Sequence, residues 1–343
     1  MHKPTTPDPK MLFHLLSLEP NQELLILFDR FGTEIAHWIA DAASLNGFDF
    51  SAQYIPMPAQ AKCAQIAKIP EIWQAAIARC RALITTLSDT SECTRFRAGV
   101  LDIARMSGCK TLHLPGVDWQ MFRDSLTGFN PAEIQTEAQQ IQRILEGVSS
   151  VEIFTRQGRA GPLHSLELLV GGRPLHLDTG MPRPGEIAQL PAGEVYLAPV
   201  EYRAQGSVVI NGSSPGRVIR NDDASTLRFE DGIVDIAGSS FANTVSGKAF
   251  KRELECLAGQ GHDNLVLGEL GFGVNSAITI LTGSPIHDEK ASGTLHIALG
   301  CNRPFDGVIA CDNHIDLILI PQAVYADKCE MPLNWGLAKQ GGG

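Results

Sequence analysis

What most constrains this chain is a change of pattern at Gly147. Before it, continuous apolar runs alternate with stretches of helical spacing; after it, short apolar segments follow one another, parted by Gly, Asn, Asp and Pro. The first half reads as strand, helix, strand. Leu24 to Phe28 is an unbroken apolar run, the mark of a strand buried on both faces. Thr33 to Leu45 places Ile35, Trp38, Ile39, Ala42 and Leu45 at helical spacing, and Gly47 closes it. FDFSAQYIPM, ALITTLS and KTLHLPG supply further strands, with helices over Pro70 to Ala78 and Arg97 to Met106 between them, and Met11 to Leu18 adds a short amphipathic helix before the first strand. Alternation of this kind predicts a doubly wound parallel sheet.

The predicted layout is an α/β domain over 1–127, a bridging helix over 128–147 capped by Asn130 with Pro131 at its first position, and a mainly β (α+β) metal-binding domain over 148–343. A length of 343 residues fits about two domains. After the first strand the chain reads Asp29-Arg30-Phe31-Gly32-Thr33, with neither GxGxxG nor a P-loop, so the first domain is expected to be a scaffold or cap rather than a dinucleotide site.

Net charge and cysteine usage exclude several classes. At −10 the chain lacks the clustered Lys and Arg of a nucleic-acid surface. No run approaches the roughly 20 apolar residues of a membrane span, and MHKPTTPDPK has no apolar signal core. A cytoplasmic protein is the expectation. The eight cysteines include no CxxC pair and read as reduced thiols, mostly buried.

Chemistry concentrates between Glu269 and Asp316, where GELGFGVN, DEKASGTLHIALG and DNHIDLILI place Glu269, His296, His314 and Asp316 on short apolar segments. In His314-Ile315-Asp316 the two polar side chains share one face of a strand. The apolar run Leu317 to Ile320 implies burial, and a buried carboxylate needs a partner. Imidazole and carboxylate donors without thiolate suit Zn, Mn, Co or Fe(II). Upstream, Glu194 heads the apolar strand of LPAGEVYLAP after a Pro-Ala-Gly turn, a poorly solvated place for a lone carboxylate.

These four motifs, LPAGEVYLAP, GELGFGVN, DEKASGTLHIALG and HID, in this order, resemble those of the thermophilic metalloaminopeptidases, the aminopeptidase T-like enzymes. The resemblance implies metal ligands at Glu194, Glu269, His296, His314 and Asp316, two divalent cations (Zn, Co or Mn) sharing bridging carboxylates, a homodimer, and cleavage of an amide at the N-terminus of a peptide or amino-acid conjugate. Such a site lowers the pKa of water and polarises a carbonyl, with Glu269 or Glu194 as general base.

Members of that family carry a Tyr shortly after HIALG. Here the chain reads Cys301-Asn302-Arg303-Pro304-Phe305, so Arg303 is the candidate oxyanion-side donor, against a surface role fixed by Asp306. A related branch, the 2,5-dihydroxypyridine dioxygenases, supplies the alternative: one non-haem Fe(II), here assembled from His296, His314 and Asp316. A non-peptidase descendant in a biosynthetic pathway is a third reading. Around these residues, Asp288 and Glu289 read as a solvated turn that Lys290 could pair with, His262 and His287 as surface histidines, and Cys301 and Cys311 as small buried residues.

Overall fold

The computed structural model describes residues 8–56, 69–89, 94–158 and 160–332. It forms two compact units, Met1–Pro131 with Asp178–Ala192, and Ala132–Leu177 with Gly193–Gly343. Cys63, Cys93 and the glycine-rich C-terminus lie outside the described residues.

The first unit runs α1 (Lys10–Leu15), β1 (Leu24–Phe28), α2 (Thr33–Leu45), β2 (Phe50–Tyr54), α3 (Glu71–Arg79), β3 (Ala82–Thr86), α4 (Thr94–Met106), β4 (Lys110–His113) and α5 (Trp119–Leu126). All five residues of β1 and of β3 are buried, as continuous apolar runs require at the centre of a sheet covered on both faces. On α2 the buried residues Ile35, Ala36, Ile39, Ala42 and Ala43 make one stripe of helical period. The exposed β2 is the edge strand, which explains why its five residues carry no buried pattern. Helix α5 has no counterpart in the sequence reading. The Asp118 carboxylate caps it by accepting from Met121 N, and its Phe122 and Trp119 pack on Trp38 of α2.

After α6 (Pro131–Leu145), the chain gives β5 (Ser150–Arg156), β6 (Leu163–Leu169), β7 (His176–Asp178), β8 (Ile187–Gln189), β9 (Glu194–Leu197), β10 (Gln205–Ile210), β11 (Ser213–Ser214), β12 (Arg217–Val218), β13 (Ser225–Glu230) and β14 (Ile233–Ser240). It ends with α7 (Val245–Gln260), β15 (Leu267–Gly273), α8 (Pro285–Asp288), β16 (Leu295–Gly300), β17 (His314–Leu319), β18 (Ala323–Ala326) and β19 (Cys329–Glu330). The first unit's sheet has the order β2-β1-β3-β4-β8, and every pairing in it is parallel. This is the doubly wound sheet that the alternation predicts.

The division of the chain differs from the one drawn at 128 and 148. Strand β8 pairs with β4 through Thr111, Leu112 and His113, so Asp178–Ala192 returns to the first unit, and α6 belongs to the second rather than standing as a bridge. The second unit carries two seven-stranded sheets, β14-β13-β10-β6-β5-β18-β19 and β12-β11-β17-β16-β15-β9-β7. The second of these carries the cluster of polar side chains.

Candidate metal centre

Four neighbouring antiparallel strands, β17, β16, β15 and β9, build the cluster. Residues paired across strands share a face, as do alternate residues along one. Glu194 pairs with Gly273, His296 with Gly271, Ala298 with both Glu269 and Asp316, and His314 with Gly300. Glu194, Glu269, His296, His314 and Asp316 therefore project from one face, over a floor of Gly271, Gly273, Ala298 and Gly300. The floor must be bare. A Cβ on Gly271 would stand 2.0 Å from His296 Cε1, so the imidazole lies where any other residue would put its side chain.

All five ligands implied by the sequence meet. Glu269 links the two imidazoles, with Oε1 3.2 Å from His296 Nε2 and Oε2 3.1 Å from His314 Nε2. His314 Nε2 also lies 3.2 Å from Asp316 Oδ1, and His296 Nε2 lies 3.6 Å from Glu194 Oε2. The Cys301 carbonyl accepts from His314 Nδ1 at 2.8 Å; a carbonyl cannot donate, so Nδ1 carries a proton and Nε2 points into the cluster.

HDEK is the largest departure from the sequence reading. It is a buried segment, not a solvated turn: Asp288 and Lys290 have no exposed surface, and His287 and Glu289 are also buried. Asp288 is held by its partners, accepting from Ser213 Oγ at 2.6 Å, Thr282 N and Gly283 N at 2.8 Å, and His287 Nδ1 at 2.9 Å. That anchoring presents Lys290, whose Nζ donates to Glu194 Oε1 and lies 2.7 Å from Glu289 Oε1. Three consecutive charges look solvated because their partners are distant in sequence. His262 is exposed, as expected of a surface histidine, whereas Cys301 and Cys311 are only half-buried.

Electrostatics follow from so many charges in so little water. Burial pushes the Glu269 carboxyl up, but hydrogen bonds from His296 and His314 outweigh it and hold the group well below the usual carboxylate range. Burial, opposed by Lys290 and reinforced by Glu194 and Asp316, pushes Glu289 up to about 8. Burial disfavours charge on His296, yet Glu269, Glu194 and Glu289 raise it to about 9. His314 is raised well above its ordinary value, against burial, by Asp316 and Glu269.

Several polar atoms in this region are left over. Glu194 Oε2, His296 Nδ1 and Asp316 Oδ1 are buried without a hydrogen-bond partner. Two donor sets have ligand atoms within 4.8 Å of one another, Glu269 with His296 and Asp316, and Glu194 with Glu289 and His296. A cation beside the first set would satisfy Asp316 Oδ1 in place of a hydrogen bond, and an all-N/O donor set suits Zn, Mn, Co or Fe(II). These buried residues fit a divalent ion. Glu289 is the candidate ligand that sequence reasoning missed.

The cluster opens at one end. A third of the His314 side chain is exposed, against 13% for Asp316 and 8% or less for Glu194, Glu269 and His296. Phe305 stands edge-on to His314, Tyr196 edge-on to Phe305, and His176 is stacked on Tyr196. Arg303 is exposed in the same short turn, Arg303–Phe305, which Glu201 secures through Asn302 Nδ2 and Val308 N, both at 2.9 Å. Asp306, the partner expected for Arg303, lies instead 3.2 Å from His176 Nε2.

The sequence matches no protein-family model and no curated protein. Among solved structures, the chain is similar to 2,5-dihydroxypyridine dioxygenase from Pseudomonas putida KT2440, with TM-score 0.71, 15% identity and 95% of each chain covered. It is also similar to wild-type AmpT, an aminopeptidase T, from Thermus thermophilus, with TM-score 0.60, 17% identity, and 95% of this chain and 97% of that one covered. At these identities the likeness is one of fold: an α/β unit with a parallel sheet, joined to antiparallel sheets. Both neighbours are enzymes. Among the described residues no helix is long and apolar enough to cross a membrane.

Proposed function

We propose that this chain is a metal-dependent hydrolase that cleaves an amide at the free amino end of a short peptide or an amino-acid conjugate. The observation that carries the reading is the excess of carboxylates: Glu194, Glu269, Glu289 and Asp316 surround two imidazoles, whereas an iron oxygenase site takes two His and one carboxylate. Glu269, His296, His314 and Asp316 would hold the ion. When bound, it supplies Lewis-acid polarisation of the carbonyl and a more acidic water.

The protein's own groups divide the remaining work. Both oxygens of Glu269 are engaged by imidazoles. Glu194 has Oε1 held by Lys290 and Oε2 free of hydrogen bonds, so Glu194 is the better base: it takes a proton from the attacking water at Oε2 and passes it to the leaving amine. Arg303, exposed at the open end, binds the developing oxyanion or a substrate carboxylate.

A second reading, an Fe(II)-dependent ring-cleaving dioxygenase, is favoured by the higher TM-score of the dioxygenase neighbour and by the rings of Phe305, Tyr196 and His176 at the mouth. One pair of assays separates the two. Metal-stripped protein is reloaded with Zn, Co or Mn and given a panel of aminoacyl amides and dipeptides, then reloaded with Fe(II) and given dihydroxylated aromatic compounds in an oxygen electrode. Release of amine without oxygen uptake supports the hydrolase; oxygen uptake without amine release replaces it.

A further inference from the structure

Two sets of potential ligands share His296, and they are not equivalent. The Glu269 set contains no cationic side chain but His296 and its neighbour His314, which become neutral donors on giving up their protons. The other set, Glu194, Glu289 and His296, already has a cation between its carboxylates: Lys290, with no exposed surface, donates to Glu194 Oε1 and lies 2.7 Å from Glu289 Oε1. A second divalent ion there would have to share both acids with an ammonium group that has no exposed surface. Like charges that close, away from water, repel strongly.

We propose that Lys290 is the built-in cation of the Glu194–Glu289 half of the cluster, so that the centre takes a single divalent ion, held by Glu269, His296, His314 and Asp316. The proposal rests on the metal-dependent reading above and departs from the two-ion site implied by the aminopeptidase resemblance. Charge supports it, since Glu269 and Asp316 together match one divalent ion while Lys290 offsets Glu194, to which it donates. Geometry supports it too. The Glu194 oxygen bound to Lys290 is Oε1, which leaves Oε2 facing His296 as a proton carrier beside the ion rather than a bridge between two. Lys290 is thus a positioning residue. It is itself placed by the buried anchoring of Asp288 two residues earlier.

The test counts ions in the full chain. Metal-stripped wild-type protein titrated with Mn²⁺ alone should bind one equivalent tightly and give an uncoupled mononuclear EPR signal. Lys290→Gln should acquire a second equivalent and a spin-coupled pair, while Lys290→Arg, which keeps the cation, should stay at one. Two tight equivalents in the wild type, or one in a folded Lys290→Gln, overturns the proposal. Should Lys290→Gln not fold, the wild-type count decides alone. No binding in the wild type overturns the metal reading itself, and this proposal with it, an outcome distinct from a count of two.

Discussion

Lys290 lies fully buried with its Nζ donating to Glu194, ninety-six positions earlier in the chain. Such a contact joins the loop after α8 to the start of β9 and places a positive charge between Glu194 and Glu289. Breaking a buried ion pair from one side leaves an uncompensated charge, which typically costs about 3–5 kcal/mol. Lys290→Met is therefore expected to destabilise the metal-free protein by that order in denaturant unfolding. Adding Glu194→Gln should recover part of the loss, because it removes the carboxylate that Lys290 leaves unpaired. A Lys290→Met protein as stable as wild type would show that the contact contributes nothing to the fold.

Gly271 sets how closely His296 can approach the sheet. Any Cβ there would meet the imidazole at 2.0 Å, so Gly271→Ala must rotate or displace His296. The strand itself tolerates Ala, so far-ultraviolet circular dichroism should change little. Metal affinity, measured by chelator competition, should fall about ten-fold or more, as for other changes that misorient a ligand. Unaltered affinity would mean His296 is not a ligand.

Metal uptake should be coupled to protons with a definite sign. In the metal-free protein His296 is raised to about 9 and His314 well above its ordinary value, so both carry protons at neutral pH. A metal ligand must be neutral imidazole, so binding releases protons and weakens as pH falls. Titration calorimetry in buffers of different ionisation enthalpy should show at least one proton released at pH 7.

Stability of the metal-free form follows from the same shifts. A raised folded-state value means stability present below the unfolded value and lost as pH climbs through the folded one. For Glu289 that window runs from 4.5 to about 8, and for His296 from 6.5 to about 9. Glu269 is depressed and acts the other way, its contribution being lost as pH falls below the ordinary carboxylate range. Melting temperature without metal should thus be highest in mildly acidic solution and decline toward pH 9, with metal flattening the decline. A melting temperature that rises steadily to pH 9 without metal would contradict these assignments.

Much of this was legible in the sequence where local pattern decides. Leu24 to Phe28 could only be a buried strand, and His314 with Asp316 had to share a face. Which residues would meet in the cluster was legible through the order of four motifs. HDEK was not, because Asp288, Glu289 and Lys290 are buried only by virtue of Ser213, Glu194 and a bend through Thr282 and Gly283, and no local periodicity reports such partners. Strand β8 escaped for a related reason: three residues carry no pattern, and only pairing with β4 defines them. Arg303 was legible as an outlier from the motif. Its missing partner was not, since Asp306 lies with His176, a residue more than a hundred positions away.

Two glutamates on one face should fail differently when made into glutamines. Glu269 touches both imidazoles, and Glu269→Gln removes half of the negative charge that Glu269 and Asp316 offer an ion; bound metal, counted after gel filtration, should be largely lost together with turnover. Glu194 is different. Its Oε1 belongs to Lys290 and its Oε2 has no hydrogen-bond partner, so Glu194→Gln keeps the four ligands and loses only a group able to accept a proton. The metal count should stay near that of the wild type while kcat falls, by about 10²–10⁴-fold if Glu194 is the general base. Arg303→Ala is the companion control at the mouth: an exposed residue should leave the melting temperature unchanged, yet cost about ten-fold in kcat/KM, roughly 1.4 kcal/mol, on substrates bearing a carboxylate. Loss of metal in Glu194→Gln would make Glu194 a ligand rather than the base, and equal kinetics for Arg303→Ala would return that side chain to the surface.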